Sequence, residues 1–149
     1  MATKYVLDSN VFIDAFRDRD WNERLQLFRT AYAPFEYLSA VVVQELRAGA
    51  RTVATARSLQ RNLFDPFERR RRLITPSYRG WKIAGEALAH LGATQGLDLT
   101  SMSKSLVNDA LIASSCREAG AVLITRNMRD FERLQHVIPF RVEPPWPTM

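Results

Sequence analysis

Two short apolar runs, Tyr5-Val6-Leu7 and Ala121-Val122-Leu123-Ile124, each break off abruptly into polar residues. Asp8-Ser9-Asn10 follows the first and Thr125-Arg126-Asn127 the second. Compact runs of this kind, at residues 3–7 and 121–125, predict buried strands. Further strands are expected around residues 36–38, 72–74 and 139–142. The stretches between them carry helical signals. Ser39 is placed to cap a helix over residues 40–48, with Gly49 as its stop. Pro76-Ser77 precedes a helical pattern over residues 78–91 that Gly92 would close. Ser103 or Ser105 would begin a helix ending near Gly120. Strands alternating with helices predict an α/β fold with a mainly parallel sheet. Two or more consecutive helices between residues 51 and 96 would pack beside that sheet. No linker divides the chain, so one domain is expected over residues 1–149, with a proline-rich extended tail at about 143–149.

At 149 residues the chain is long enough for a hydrophobic core, and its apolar fraction of 46% is ordinary. No apolar run approaches the roughly 18 residues of a membrane span. The opening Met1-Ala2-Thr3-Lys4 lacks the features of a secretory leader. Cys116 is the sole cysteine, so no intrachain disulfide can form. A cytoplasmic location is the expectation. Lys and Arg number 21 against 16 acids, giving a net charge of +5. Arginine dominates the bases, and it is the better bidentate phosphate binder. Such a balance is compatible with a polyanionic partner without requiring one.

Four acids stand apart from the rest. Asp8 ends the first strand, at the sheet edge where open α/β folds bind ligands. An N-cap for residues 11–16 would also explain it, although Ser9 and Asn10 can cap equally well. On a helical wheel Glu45 falls among Val41, Val42, Ala48 and Gly49, while Gln44, Arg47 and Arg51 take the opposite side. Neither Val41 nor Gly49 can pair with it at helical spacing. Asp109 shares a face with Ile112, Ala113 and Cys116. Its place near a helix start suits the macrodipole but leaves its apolar surroundings unexplained. Asp130 lies in the polar turn after the second run, where an N-cap is the usual role, and Asn127 is the other candidate there. Asp14, Asp18, Asp20, Asp65, Glu86 and Glu118 are assigned to solvated faces. Carboxylates on apolar faces are costly unless compensated, and a hard divalent cation compensates them simply. An oxygen-only set suits Mg2+ or Mn2+ rather than zinc, and His90 and His136 stand alone. There is no glycine-rich phosphate loop and no serine or cysteine with a neighbouring histidine.

Four segments carry a family resemblance. They are Tyr5-Val6-Leu7-Asp8-Ser9-Asn10-Val11-Phe12-Ile13-Asp14, the stretch from Leu38 to Gly49, Asn108-Asp109-Ala110-Leu111-Ile112-Ala113, and the stretch from Leu123 to Phe131. In order and spacing these resemble the PIN-domain nucleases, in particular the VapC-type toxins of bacterial toxin–antitoxin pairs. Ser9 stands where many members carry threonine, one small hydroxyl for another. The resemblance implies a three-layer α/β fold, a five-stranded parallel sheet flanked by helices, with Asp8, Glu45, Asp109 and Asp130 meeting at one edge. Members differ in whether the position of Asn127 or that of Asp130 completes the set. It further implies Mg2+-dependent cleavage of a tRNA, rRNA or mRNA, with Mn2+ able to substitute. A homodimer held inactive by a cognate antitoxin is implied as well.

On that reading Asp8 and Asp109 ligate the metal directly, Glu45 holds or deprotonates a water, and Asp130 supports a second metal position. Ser9, Thr125 and Asn127 would orient these groups. Arg47, Arg51, Arg69, Arg70 and Arg126 are the candidate RNA contacts, and Trp21, Tyr78 and Trp81 are candidates for base stacking. A housekeeping RNA-processing PIN nuclease without an antitoxin is the nearest alternative. A receiver domain or an aspartyl-nucleophile phosphatase would want an acidic pair after the first strand, which Asp8-Ser9-Asn10 does not provide. A binding module without catalysis would have no use for Glu45 and Asp109 on apolar faces.

Overall fold

The computed structural model describes residues 2–96 and 103–147. Five strands, β1 (Lys4–Leu7), β2 (Glu36–Ser39), β3 (Leu73–Ile74), β4 (Ala121–Ile124) and β5 (Arg141–Glu143), form one sheet in the order β3-β2-β1-β4-β5. Every neighbouring pair is parallel. The helices are α1 (Ser9–Arg17), α2 (Arg19–Tyr32), α3 (Ala40–Gly49), α4 (Val53–Leu59), α5 (Asp65–Arg69), α6 (Tyr78–Gln95), α7 (Lys104–Ala119) and α8 (Met128–Gln135). A π-helical turn, Gln60–Phe64, joins α4 to α5. No helix among the described residues is long and apolar enough to cross a membrane.

Local chemistry explains most boundaries. Ser39 Oγ accepts from Val41 N at 3.2 Å and Val42 N at 3.4 Å, starting α3. Ser77 and Ser103 do the same for α6 and α7, accepting from Gly80 N and Leu106 N at 3.1 Å each. Gly120 closes α7 at φ 65°, a left-handed conformation that favours glycine. Gly92 does not close α6, which runs on to Gln95 and stops at Gly96, φ 68°. Mid-helix glycine costs only about 1 kcal/mol relative to alanine, so the helix runs one more, solvent-exposed turn past Leu91, the last buried residue of α6. Gly49 belongs to α3, which ends instead on the buried Ala50, whose N–H reaches Arg47 O at 3.2 Å. The last strand starts at Arg141 rather than 139, and the tail beyond it brings Trp146 against Phe28 at 5.5 Å between ring centroids.

The core runs through both sides of the sheet. Val6, Leu123 and Ile124 are fully buried in the strands, as are Val11, Ile112, Phe131 and Leu134 from α1, α7 and α8. From β1 the chain steps outward to β2 and β3, then returns to the other side of β1 for β4 and β5. That reversal opens a crevice between the carboxyl ends of β1 and β4, the usual ligand position in such sheets.

Candidate functional site

Asp8 and Thr125 leave the carboxyl ends of the two central strands, directly at the crevice. Asp8 is 4% exposed, and it is also the N-cap of α1, so structural and chemical roles fall on one residue. Its Oδ1 accepts from Ser9 N at 2.8 Å; its Oδ2 accepts from Thr125 Oγ at 2.8 Å and from Asn10 Nδ2 at 3.2 Å. All three donors are neutral. Burial raises the proton affinity of Asp8, and the bonds from Thr125 and Ser9 oppose that rise. Asn10, which the sequence offered only as an alternative cap, ties the two loops together. Its Oδ1 accepts from Arg126 N at 3.3 Å and its amide also reaches Thr125 Oγ at 3.3 Å. An Asx after a strand is too common a cap signal to have revealed this cross-link, which joins residues 116 positions apart.

Asp109 projects from the second turn of α7 and is likewise 4% exposed. Its one side-chain bond among the described residues is a long 3.5 Å contact from Asn127 Nδ2. Burial first, then the charges of Asp8, Glu45 and Asp130, push its carboxyl up to about 8. Asp109 thus feels the charge of the other three acids. Glu45 is half-buried; burial and Asp8 raise its proton affinity, while Ser9 and Asn108 pull it down. Its Oε1 is buried without a hydrogen-bond partner. The expected stripe on α3 is corrected in part: Val41, Val42 and Leu46 are buried, but Ala48 and Gly49 are exposed. Glu45 therefore sits at the border of the apolar face, because α3 packs only its first turns against the core.

Asp130 is not an N-cap. Asn127 takes the cap position of α8 without capping through its side chain, and turns its amide toward Asp130 Oδ2 at 3.0 Å. Asp130 also lies 3.6 Å from Arg133. Asn127 N in turn donates to Thr125 Oγ at 3.0 Å, so Thr125 links β4, Asp8 and the α8 entry. Among the described residues, no three His, Cys, Asp or Glu side chains converge closely enough to grip an ion as they stand. The four acids share a field but not yet a coordination sphere, as expected of carboxylates that repel without a counter-charge. Cys116 lies fully buried nearby, its thiol pushed up to about 12 by burial and Asp8, and adds no ligand.

The candidate arginines are spread unevenly. Arg126 stands at the rim, paired with Asp14 and with its guanidinium 5.1 Å from the Trp21 ring centroid. Arg47 and Arg51 are exposed at the end of α3 and just beyond it. Arg69 and Arg70 are exposed at the end of α5, and Arg70 lines a cavity of about 290 Å³ with Glu36 and Arg72. Glu36 begins β2, so that cavity opens near the amino ends of the strands, away from the acids. Tyr78 and Trp81 are exposed on α6, whereas Trp21 is half-buried.

Four acids assigned to solvent have structural partners: Asp14 holds Arg126, Asp18 caps α2 by accepting from Asp20 N at 3.2 Å, Asp65 accepts from Gln60 Nε2 at 2.6 Å, and Glu118 accepts from Ser77 N at 3.1 Å. Glu36, which no sequence pattern singled out, is 2% exposed and pairs with Arg29 at 3.3 Å. That pair offsets a buried charge and lies outside the crevice.

By sequence alone, no curated protein matches the chain. Among solved structures, a chain of the DNA-bound VapBC of Salmonella typhimurium is similar at 25% identity and a TM-score of 0.70, over 96% of this chain and 98% of that one. A chain of VapBC2 from Rickettsia felis, bound to a promoter DNA fragment, matches at 26% identity and TM-score 0.64, over 97% and 100%. VapBC-1 of nontypeable Haemophilus influenzae, at 22% identity and TM-score 0.68 over 95% and 98%, shares the fold. The PIN domain model matches residues 5–137, most of the chain and all four acids. With that match and the parallel order β3-β2-β1-β4-β5, the chain belongs to the PIN-domain family.

Proposed function

We propose that this protein is the nuclease toxin of a toxin–antitoxin pair, an endoribonuclease that hydrolyses RNA phosphodiester bonds with the help of a divalent cation. One observation carries the reading: four acids meet in one field at the sheet's switch point, and Asp8, Glu45 and Asp109 have no basic partner among the described residues. The donor set fits Mg2+, with Mn2+ as a substitute, because every available atom is oxygen and Glu45 Oε1 is buried and unspent. Asp8 and Asp109 would hold the cation directly, with Glu45 and Asp130 beside them. When bound, the cation supplies positive charge for the phosphoryl oxygens and acidifies water.

The remaining roles fall to the chain itself. Glu45, its proton affinity raised by burial and Asp8, is suited to take the proton of the attacking water. Thr125 and Ser9 hold Asp8 in one orientation, and the Asn127 amide spans Asp109 and Asp130. The surplus of 21 bases over 16 acids attracts a polyanion, and more strongly once the site acids are neutralised. Arg126 stands at the rim beside the acids and is the best-placed RNA contact; Arg47 and Arg51 are exposed at the end of the helix that carries Glu45, and Arg69 and Arg70 would touch only a longer substrate. An antitoxin segment has a place to lie. Cavities of about 460 and 220 Å³ share Phe16, Thr55 and Leu59, and the second reaches Glu45. Likeness to VapBC chains supports the toxin reading over a housekeeping nuclease, and we place the protein in the cytoplasm as a homodimer.

The test is cleavage of total RNA with Mg2+, with Mn2+ and with EDTA, by the wild type, Asp8→Ala and Asp109→Ala. Cutting should require the metal and vanish in both variants. Cleavage that survives EDTA or either substitution would sink the mechanism.

A further inference from the structure

Arg126 occupies an exceptional position. Its neighbour Thr125 bonds to Asp8, and its other neighbour Asn127 bonds to Asp109 and Asp130. A long guanidinium between those contacts has every electrostatic reason to fold onto carboxylates that repel one another. It does the opposite. The guanidinium pairs with Asp14 of α1 and lies over the Trp21 ring of α2. The Asp14 side chain is only 22% exposed, so this pair is better shielded than a surface bridge. Trp21 is braced in turn by Arg24 at 5.7 Å and by Trp146 at 6.2 Å. The backbone is pinned as well, with Arg126 N donating to Asn10 Oδ1 at 3.3 Å. Half of the Arg126 side chain, 51%, still faces solvent.

We infer that Asp14 and Trp21 are positioning residues that hold Arg126 out of the carboxylate group, keeping the acids free for a divalent cation and presenting the guanidinium at the rim to an RNA phosphate. This inference rests on the metal-nuclease reading above. An arginine that folded inward would itself act as the counter-charge and compete with the cation for the same oxygens. Paired with one carboxylate and stacked on one aromatic face, it keeps free N–H groups for a phosphate and loses little side-chain freedom on binding one.

The test is Mn2+ binding by titration calorimetry at fixed ionic strength, in the wild type, Asp14→Asn, Arg126→Gln and the double variant. Asp14→Asn should weaken Mn2+ binding about tenfold, as released Arg126 enters the site. Arg126→Gln should bind Mn2+ at least as tightly as the wild type, while its KM for RNA rises. The double variant should recover wild-type Mn2+ affinity, which a folding defect from Asp14→Asn would not allow. Wild-type affinity in Asp14→Asn, or a double variant as weak as Asp14→Asn, would overturn the inference. A wild type that binds no Mn2+ would overturn the metal reading itself and this inference with it.

Discussion

Asp109→Asn should make the metal-free protein more stable while abolishing its response to metal. The Asp109 carboxyl is 4% exposed and rises from an ordinary 3.8 to about 8, chiefly through burial and then through three neighbouring acids. Its stabilising contribution is complete only below the unfolded value and is lost as pH climbs from about 4 to about 8. At 1.36 kcal/mol per pH unit, full ionisation in the fold corresponds to on the order of 5 kcal/mol, an upper bound because water and side chains relax around a charge. An isosteric amide never meets that penalty. Near pH 8 a gain of about 1–3 kcal/mol is expected, or roughly 3–10 °C in Tm for a chain of this size. The gain should shrink steadily toward pH 4. Adding Mn2+ at about 100 times its Kd should then raise the wild type by ~2.7 kcal/mol and leave Asp109→Asn unmoved. Calorimetric melts at several pH values, with and without Mn2+, read all three effects. A variant less stable than the wild type at pH 8, or a gain that does not vary with pH, would refute the reasoning.

Two further outcomes follow from buried partners. Arg29→Met strands Glu36, which is 2% exposed, and should cost about 3–5 kcal/mol in urea unfolding, whereas adding Glu36→Leu should recover most of the loss. Thr125→Val removes the 2.8 Å donor to Asp8 and the 3.0 Å acceptor for Asn127 N. It should lower stability by about 1–2 kcal/mol and move the acidic limb of the cleavage pH profile upward, because Asp8 loses a bond that favours its charged form. An unchanged acidic limb would show that Thr125 does not tune that carboxylate.

What the sequence determined by itself was the inventory of elements and the shortlist of acids. Short apolar runs ending in polar residues, serines before helical patterns and Gly120 after one are local signals, and they act within a few residues in the fold as well. Asp109 was legible because Ile112, Ala113 and Cys116 mark its surroundings as apolar, although α7 is in fact buried all round from Asp109 to Cys116 rather than along one face. Gly92 was misleading because a glycine is tolerated inside a helix and it is Gly96 that takes the left-handed cap; the Ala48–Gly49 end of the α3 stripe was misleading because packing partners from elsewhere decide which turns are covered. Tertiary structure alone decided the electrical state of the site. The 117-position bond from Thr125 to Asp8, the cross-link through Asn10, and the outward pairing of Arg126 with Asp14 join segments from opposite ends of the chain. No local pattern encodes them, because each depends on β1 and β4 lying side by side. That adjacency brings Asp8, Glu45 and Asp109 together without a basic partner among the described residues.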